Sequence, residues 1–436
     1  MTTTATRRDH AVAPPPHDRP RRLDGLDLAR GLAVLGMITA HFGPFTPEFA
    51  WTDPGTWSRV VDGRSAVLFA LCAGVSLTLM TRPRPDEGPT ALVDHRRRVL
   101  LRAVALFVVG ALLTALGTPV LVILPTYSVC FVATLPFLRA RTRTVALVAA
   151  GALLVGPVVW IAGLPSMLFA PSDPLVKGVL FGGYPGITWW GIVLVGLLVG
   201  RLPLHATRTQ AALVGTGGVA AAVGYGGGAL VRRALGLPPT SGPVGSSSAV
   251  GSSAAGSSAA GSSAAGSSAA GSSAAGSSAS GGSGGSSAAT PSDAPVLQPQ
   301  GGGTLEHPEI DWSVLTAIDP HAGSTPEVLG ALGVAVAVLG LSLLVAGRAG
   351  RLLAPVRAVG TLALTVYAAH IVAFAVLERT ADAWLAEGWI PAVSIMVGAI
   401  VLATAWRVRL GTGPLERLVR WASRSLDGPG RRSRTS

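Results

Sequence analysis

Gly25-Leu26-Asp27-Leu28-Ala29-Arg30-Gly31-Leu32-Ala33-Val34-Leu35-Gly36-Met37-Ile38-Thr39-Ala40-His41 opens the first long apolar run of the chain. Asp27, Arg30, Val34, Met37 and His41 recur at three- and four-residue steps, which places them on one face of an α-helix. Asp27 and His41 are then about 21 Å apart along the axis at 1.5 Å per residue. A helix of that length approaches the thickness of a bilayer core. Ionisable groups are costly in hydrocarbon, so this face is expected to meet protein or water and to carry function.

Outward from this stretch, the 436-residue chain is 49% hydrophobic and only 13% charged, with a mean hydropathy of +0.52. A soluble globule of this size is excluded by that composition, and the apolar residues fall into runs of about 17 to 25, the length a bilayer requires. The expected fold is all-α, a polytopic helical membrane bundle of about ten spans. These run near 27–44, 64–80, 99–117, 119–138, 144–163, 186–200, 210–231, 327–347, 356–377 and 389–406. With the amino terminus inside, 27 of the 34 basic residues fall in inner segments and five in outer ones. The positive-inside rule therefore puts both termini in the cytoplasm. The net charge of +12 does not indicate nucleic acid, because the arginines lie between the apolar runs and form no basic face. There are 33 arginines, one lysine (Lys177) and no asparagine, a bias expected of a GC-rich bacterial genome.

The expected organisation is a basic, disordered cytoplasmic tail over 1–26, a first membrane part over 27–231, an outer loop over 232–326, a second membrane part over 327–406 and a basic cytoplasmic tail over 407–436. Within the loop, residues 240–303 repeat Gly-Ser-Ser-Ala-Ala with almost nothing to bury, which predicts a flexible linker. Arg21-Arg22 reads as an anchor holding the terminus inside; a twin-arginine export signal is the alternative. Cys72 and Cys130 lie within apolar runs, as buried small hydrophobes do.

Four constellations can carry chemistry. His41 lies 14 residues past Asp27, and His370 lies 13 past Arg357; both reach the outer half of the membrane at similar depth, where a neutral imidazole can act as a base. Two capping histidines are the plainer reading. Asp62, at the outer start of the second span, can orient such a histidine, pair with Arg64, or cap its helix. Asp27 and Arg30 form an i,i+3 pair, either a local anchor or, through the guanidinium, a phosphate contact at the inner edge. The arginine groups 96–98 and 407–424 read as topology determinants touching anionic lipid, or as phosphate ligands. Outer-side aromatics and ionisable residues collect in three loops: Trp51, Asp53 and Trp57; Tyr184, Trp189 and Trp190; and His307, Asp311, Trp312, Asp319 and His321. An interfacial belt accounts for the tryptophans. No metal is expected, since two histidines fall short of three or four ligands. There is no Walker A loop, dinucleotide fingerprint, His-Glu-x-x-His or Gly-x-Ser-x-Gly.

Arg22-Leu23-Asp24-Gly25-Leu26-Asp27-Leu28-Ala29-Arg30-Gly31 through Met37 resembles the amino-terminal signature of heparan-α-glucosaminide N-acetyltransferase-like membrane proteins. Asp62-Gly63-Arg64-Ser65 through Gly74 is similar to the second span of its bacterial members, as are Tyr184-Pro185-Gly186-Ile187-Thr188-Trp189-Trp190 and Gly200-Arg201. Gly360-Thr361-Leu362-Ala363-Leu364-Thr365-Val366-Tyr367 and Gly413-Pro414-Leu415-Glu416-Arg417 resemble a related group of bacterial inner-membrane proteins. The resemblance implies a multi-pass acyltransferase bundle in the bacterial inner membrane. Cytosolic acetyl-CoA or another acyl-CoA would be the donor, and an outer-side glycan or lipid the acceptor. The family's eukaryotic members use a histidine as base. Their pattern has Asn 14 residues after the Asp, where this chain has His41, and their catalytic histidine falls near Thr52 and Asp53 here. His41 either takes the role from the neighbouring position or the activity is lost.

The resulting expectation is an acyltransferase with His41, Asp62 and His370 catalytic, and with Arg30, Asp27 and Arg64 on the donor. Its partners are membrane lipid and the acceptor, with an oligomer left open. A transporter or flippase using the same polar face is the alternative, and a non-catalytic scaffold a third.

Overall fold

The computed structural model describes residues 23–44, 49–83, 90–169, 183–238, 310–380 and 388–424, without the side chains of 164–169. The export-signal reading of Arg21-Arg22, the Gly/Ser/Ala insert and His307 lie outside these residues. The two membrane parts belong to one unit, residues 1–244 and 310–436. Every described residue in regular structure is helical.

Helix α1 spans Asp24–Phe42, α2 Arg64–Met80, α3 Ala91–Thr114, α4 Leu124–Thr134 and α5 Thr142–Phe169. Then follow α6, Gly186–Arg201, and α7, Thr207–Ala221, which runs through a π-turn at Ala222–Gly226 into α8, Gly227–Ala234. The second part holds α9, Thr325–Ala346, α10, Ala354–Thr361, α11, Ala363–Thr380, α12, Trp389–Leu410, and α13, Pro414–Arg424. Each of the ten expected stretches therefore contains a helix, although 119–138 is helical only from Leu124. Six helical segments among the described residues are long and apolar enough to cross a membrane: Pro54–Met80, Thr142–Gly163, Thr207–Ala234, α9, α11 and α12. Ionisable residues dilute α1 and α3, while Leu124–Phe137 and α6 are shorter apolar helices.

The local signals are conventional. Asp24 and Asp27 sit in the first turn of α1, where the helix end is electropositive. Ser324 and Glu327 stand in capping-box spacing at the start of α9; the Ser324 hydroxyl accepts from the Glu327 amide at 3.2 Å, and Pro326 follows in the first turn. Side chains such as Leu147 (75% exposed) and Leu402 (72%) face outward on apolar helices. In water each would cost about 25 cal/mol per Å² of apolar surface, a penalty that lipid removes. These features describe a multi-pass membrane protein.

Between helices, where lipid supplies no hydrophobic drive, small residues allow close backbone packing. Gly74 on α2 faces Gly196 on α6, and Gly217 on α7 faces Gly333 on α9. Gly360 on α10 lies so close to α1 that a Cβ there would overlap the Asp27 carbonyl. Helix α1 sits at the centre of these contacts, against α2, α9, α10, α11 and α12.

The expected span 356–377 is broken. The helix stops at Thr361 and restarts at Ala363, with Leu362 at φ −111°, ψ 28° between them. Glu416 of α13 fills the break: its Oε1 accepts from the amides of Leu364 (2.8 Å) and Thr365 (3.1 Å), and its Oε2 accepts from the Thr365 hydroxyl at 2.5 Å. A carboxylate 51 and 52 residues away from the groups it accepts thus caps the free amino end of α11.

Candidate functional site

Helices α1 and α2 run antiparallel. Arg30 meets Ser76 near one end, and Gly36 packs on Ser65 near the other. His41 lies five residues beyond Gly36, and Asp62 lies three before Ser65. Both therefore stand past this contact, His41 in the last turn of α1 and Asp62 ahead of α2.

His41 Nδ1 lies 3.0 Å from His370 Nε2 of α11. The rings are nearly parallel, 14° apart with centroids at 5.2 Å. Phe42 packs on Phe374, and the Phe42 carbonyl accepts from the Gly388 amide at 2.7 Å, which fixes the end of α1. His370 is 2% exposed and its ring meets Tyr367 edge-on at 5.2 Å. The Tyr367 hydroxyl in turn accepts from the Ile123 amide at 3.3 Å, and Phe69 stacks against both Tyr127 and Tyr367. His41 is half-buried. The result is one imidazole locked in an aromatic wall and a second, more open one, joined by a hydrogen bond.

Asp62 does not touch this pair. Its Oδ1 lies 3.0 Å from His321 Nε2, in the loop before α9. His321 holds φ +64°, a left-handed conformation that costs a non-glycine residue on the order of 1 kcal/mol. Burial opposes charging the ring, but the hydrogen bond and charge of Asp62 and the charge of Glu327 outweigh it and hold the His321 pKa above the ordinary imidazole value. A second bridge ties the same two loops, Arg59 Nη2 to Asp319 Oδ1 at 3.3 Å. The charges of Asp62 and His321 also reach His41. His321, Glu327, Gly63, Thr188 and Trp189 line a cavity of about 30 Å³.

Arg64 starts α2. Its Nε donates to the Tyr225 hydroxyl at 2.8 Å, its Nη1 donates to the Arg59 carbonyl at 2.8 Å, and its guanidinium covers the Tyr225 ring at 4.8 Å. Tyr225 sits in the π-turn, an element often found at functional positions. Arg64 and Ser76, which bonds Arg30, are 12 residues apart along α2, about 18 Å. Arg64 and Arg30 therefore do not meet in one site.

Toward the amino end of α1, Arg30 Nη1 bonds Asp27 Oδ1 at 3.1 Å and Nη2 bonds the Ser76 hydroxyl. Asp27 is 6% exposed, so this is a largely buried pair and the anchor reading describes its geometry. Asp24 pairs with Arg357 at 2.7 Å. The charges of Arg30, Arg420 and Glu416 all act on Arg102 of α3, so this end concentrates guanidinium groups from three helices. Among the described residues no group of three His, Cys, Asp or Glu is placed to hold a metal. Cys72 and Cys130 are buried and free.

The structure therefore brings His41 to His370, Asp62 to His321 and Arg64 to Tyr225. Sequence reasoning named His321 only as one of several outer residues, and missed Glu327, Tyr225 and Glu416 as parts of the arrangement. The Ser324-Thr325-Pro326-Glu327 capping spacing was the one local signal available for Glu327.

Residues 22–225 match the family model described as heparan-alpha-glucosaminide N-acetyltransferase, catalytic, and residues 312–425 match a protein family of unknown function, DUF418. No curated protein matches the chain.

Proposed function

We propose, on the match of residues 22–225 to the heparan-alpha-glucosaminide N-acetyltransferase catalytic model, that the protein is an integral membrane acyltransferase with His41 as the base. The donor is acetyl-CoA or another acyl-CoA from the cytoplasm, and the acceptor is an outer-side hydroxyl or amine on a glycan or lipid. The protein sits in the bacterial inner membrane with both termini inside. The observation that carries this reading is the 3.0 Å contact between His41, in the segment that matches that family model, and His370, in the segment that matches the family of unknown function.

With the shared hydrogen on His41 Nδ1, His370 accepts it and His41 Nε2 keeps its lone pair for the acceptor. The acceptor's N–H or O–H proton passes to His41 as its heteroatom attacks the thioester. The C–S bond breaks, and the thiolate leaves to be protonated by water on the inner side. His370 is a positioning residue: it holds the imidazole in one tautomer and one orientation. Arg30 stands 11 residues from His41, about 16 Å along α1. Charge from Arg30, Arg102 and Arg420 at the inner end suits a phosphate-bearing donor, although Asp27 already neutralises part of it. A transport reading draws on the broken helix at Leu362, but Glu416 fills that break.

The test is transfer from radiolabelled acetyl-CoA to a panel of amino sugars and glycolipids by the full chain in lipid nanodiscs. Wild type should form labelled product. His41→Ala should lose at least about a hundredfold, the scale of general-base catalysis. Equal rates for wild type and His41→Ala would refute the assignment of the base.

A further inference from the structure

A base between helices must discard its proton before the next turnover. His370 is enclosed and His41 half-buried, and a charge held there is poorly solvated. The Asp62–His321 pair stands toward the same end of the bundle. Past the Gly36–Ser65 contact, Asp62 stands two residues before α2, at the same end as His41, and its charge and that of His321 are the ones that act on His41.

We propose that the Asp62–His321 pair is the proton outlet of the His41–His370 pair, carrying the proton released at His41 to the outer solution. This rests on the acyltransfer reading for the source of the proton, and it adds a role to residues from the carboxyl-terminal segment. Four observations support it. The His321 Nε2–Asp62 Oδ1 contact of 3.0 Å gives a carboxylate-oriented imidazole, the arrangement that accepts a proton readily. Their side chains are 34% and 28% exposed, whereas His370 is sealed, so solvation improves along the route. The cavity beside His321 and Glu327, about 30 Å³, has room for about one water and no room for a sugar. His321 is kept in a left-handed backbone conformation by two loop-to-loop bridges, Asp62–His321 and Arg59–Asp319. Strain retained this way marks a side chain whose aim matters.

The groups acting on His321 are Asp62 from the loop before α2 and Glu327 from α9, both acidic, and Asp62 also acts on His41 of α1. Arg59 acts on Asp62 and Arg64 on Glu327, which keeps the cluster from excess negative charge. In each cycle the acceptor's proton moves to His41, from there to His321, and from His321 to outer water. The thiolate takes its proton from the inner side. No oxidant or further reactant enters.

The experiment compares wild type with His321→Gln and Asp62→Asn as full chains in nanodiscs, using acetyl-CoA with glucosamine as the probe acceptor. His321→Gln should lower kcat at pH 7 at least tenfold with KM for acetyl-CoA unchanged, and free imidazole added to the buffer should restore most of it. Asp62→Asn should shift the acid limb of the kcat profile to lower pH. A wild-type kcat in His321→Gln, or a loss that imidazole does not restore, overturns the outlet. Failure of the acyltransfer reading is distinguishable, because it appears in wild type as no transfer. A turnover-free measurement then still decides: ring-¹⁵N titration of histidine-labelled protein. The outlet requires His321 to protonate before the His41–His370 pair as pH falls, and the reverse order overturns it.

Discussion

Glu416→Ala removes the acceptor that starts α11. In the wild type one carboxylate accepts two backbone amides, at 2.8 and 3.1 Å, and one hydroxyl at 2.5 Å. Loss of a helix cap costs about 1 kcal/mol, and a hydrogen bond to a charged group is worth about 1.5–3 kcal/mol. These values overlap and the vacated site admits water, so about 2 kcal/mol for the local opening of the first turn of α11 is a fair expectation. That is a factor of about 30 in the opening equilibrium. The assay is native-state hydrogen exchange at Leu364 and Thr365, read by mass spectrometry on the full chain in detergent. Both amides should exchange about 30-fold faster in Glu416→Ala. Glu416→Gln, which keeps an acceptor oxygen without the charge, should fall between. His370 lies six residues past Leu364 on the same helix, so acetyl transfer should drop together with protection. Unchanged exchange at Leu364 and Thr365 in Glu416→Ala would refute the capping argument and the link from α13 to the histidine pair.

Further outcomes follow from the same geometry. Gly360→Ala drives a methyl into the Asp27 carbonyl and should cost about 3 kcal/mol or prevent assembly, read by thermal unfolding and the monodisperse yield. Gly347→Ala, with open space around it, should stay within about 0.5 kcal/mol in the same assay. Tyr225→Phe keeps the ring under Arg64 but deletes the hydroxyl that Nε bonds, and should lower stability by about 1 kcal/mol by chemical denaturation. The folded-state pKa of His321 is raised, so its contact with Asp62 stabilises the outer loops fully below the ordinary imidazole pKa and is lost as pH rises through the raised value. The thermal midpoint of wild type should therefore fall more between pH 6 and 9 than that of His321→Gln.

The fold was legible because apolar runs of bilayer length need few other signals. The second span was bounded at 64–80 and α2 occupies the same residues. Equal depth of His41 and His370 followed from counting residues from Asp27 and Arg357, and helical rise turned that count into a contact. What escaped reading depends on pairings across long sequence separations. Asp62 and His321 are 259 residues apart, with a low-complexity insert between them, and a loop residue at positive φ has no periodicity to betray it. The break at Leu362 was illegible for a related reason: the run is apolar throughout, and what stabilises the break is a carboxylate on another helix. Gly360–Tyr367 and Gly413–Arg417 were noticed separately as motifs, while the structure shows one to be the cap of the other. Asp62 can orient a histidine, as its sequence position allows, and the histidine it contacts is the distant His321.

The central claim is that an acyl-CoA donor binds this bundle and that His41 acts after binding. The most direct measurement is calorimetric titration of acetyl-CoA into the purified full chain in nanodiscs, in wild type and in His41→Ala, with labelled transfer followed on the same samples. The account predicts saturable binding of similar affinity in both, with transfer in wild type alone. Absence of saturable binding by acetyl-CoA and longer acyl-CoAs, or transfer by His41→Ala at the wild-type rate, would contradict it.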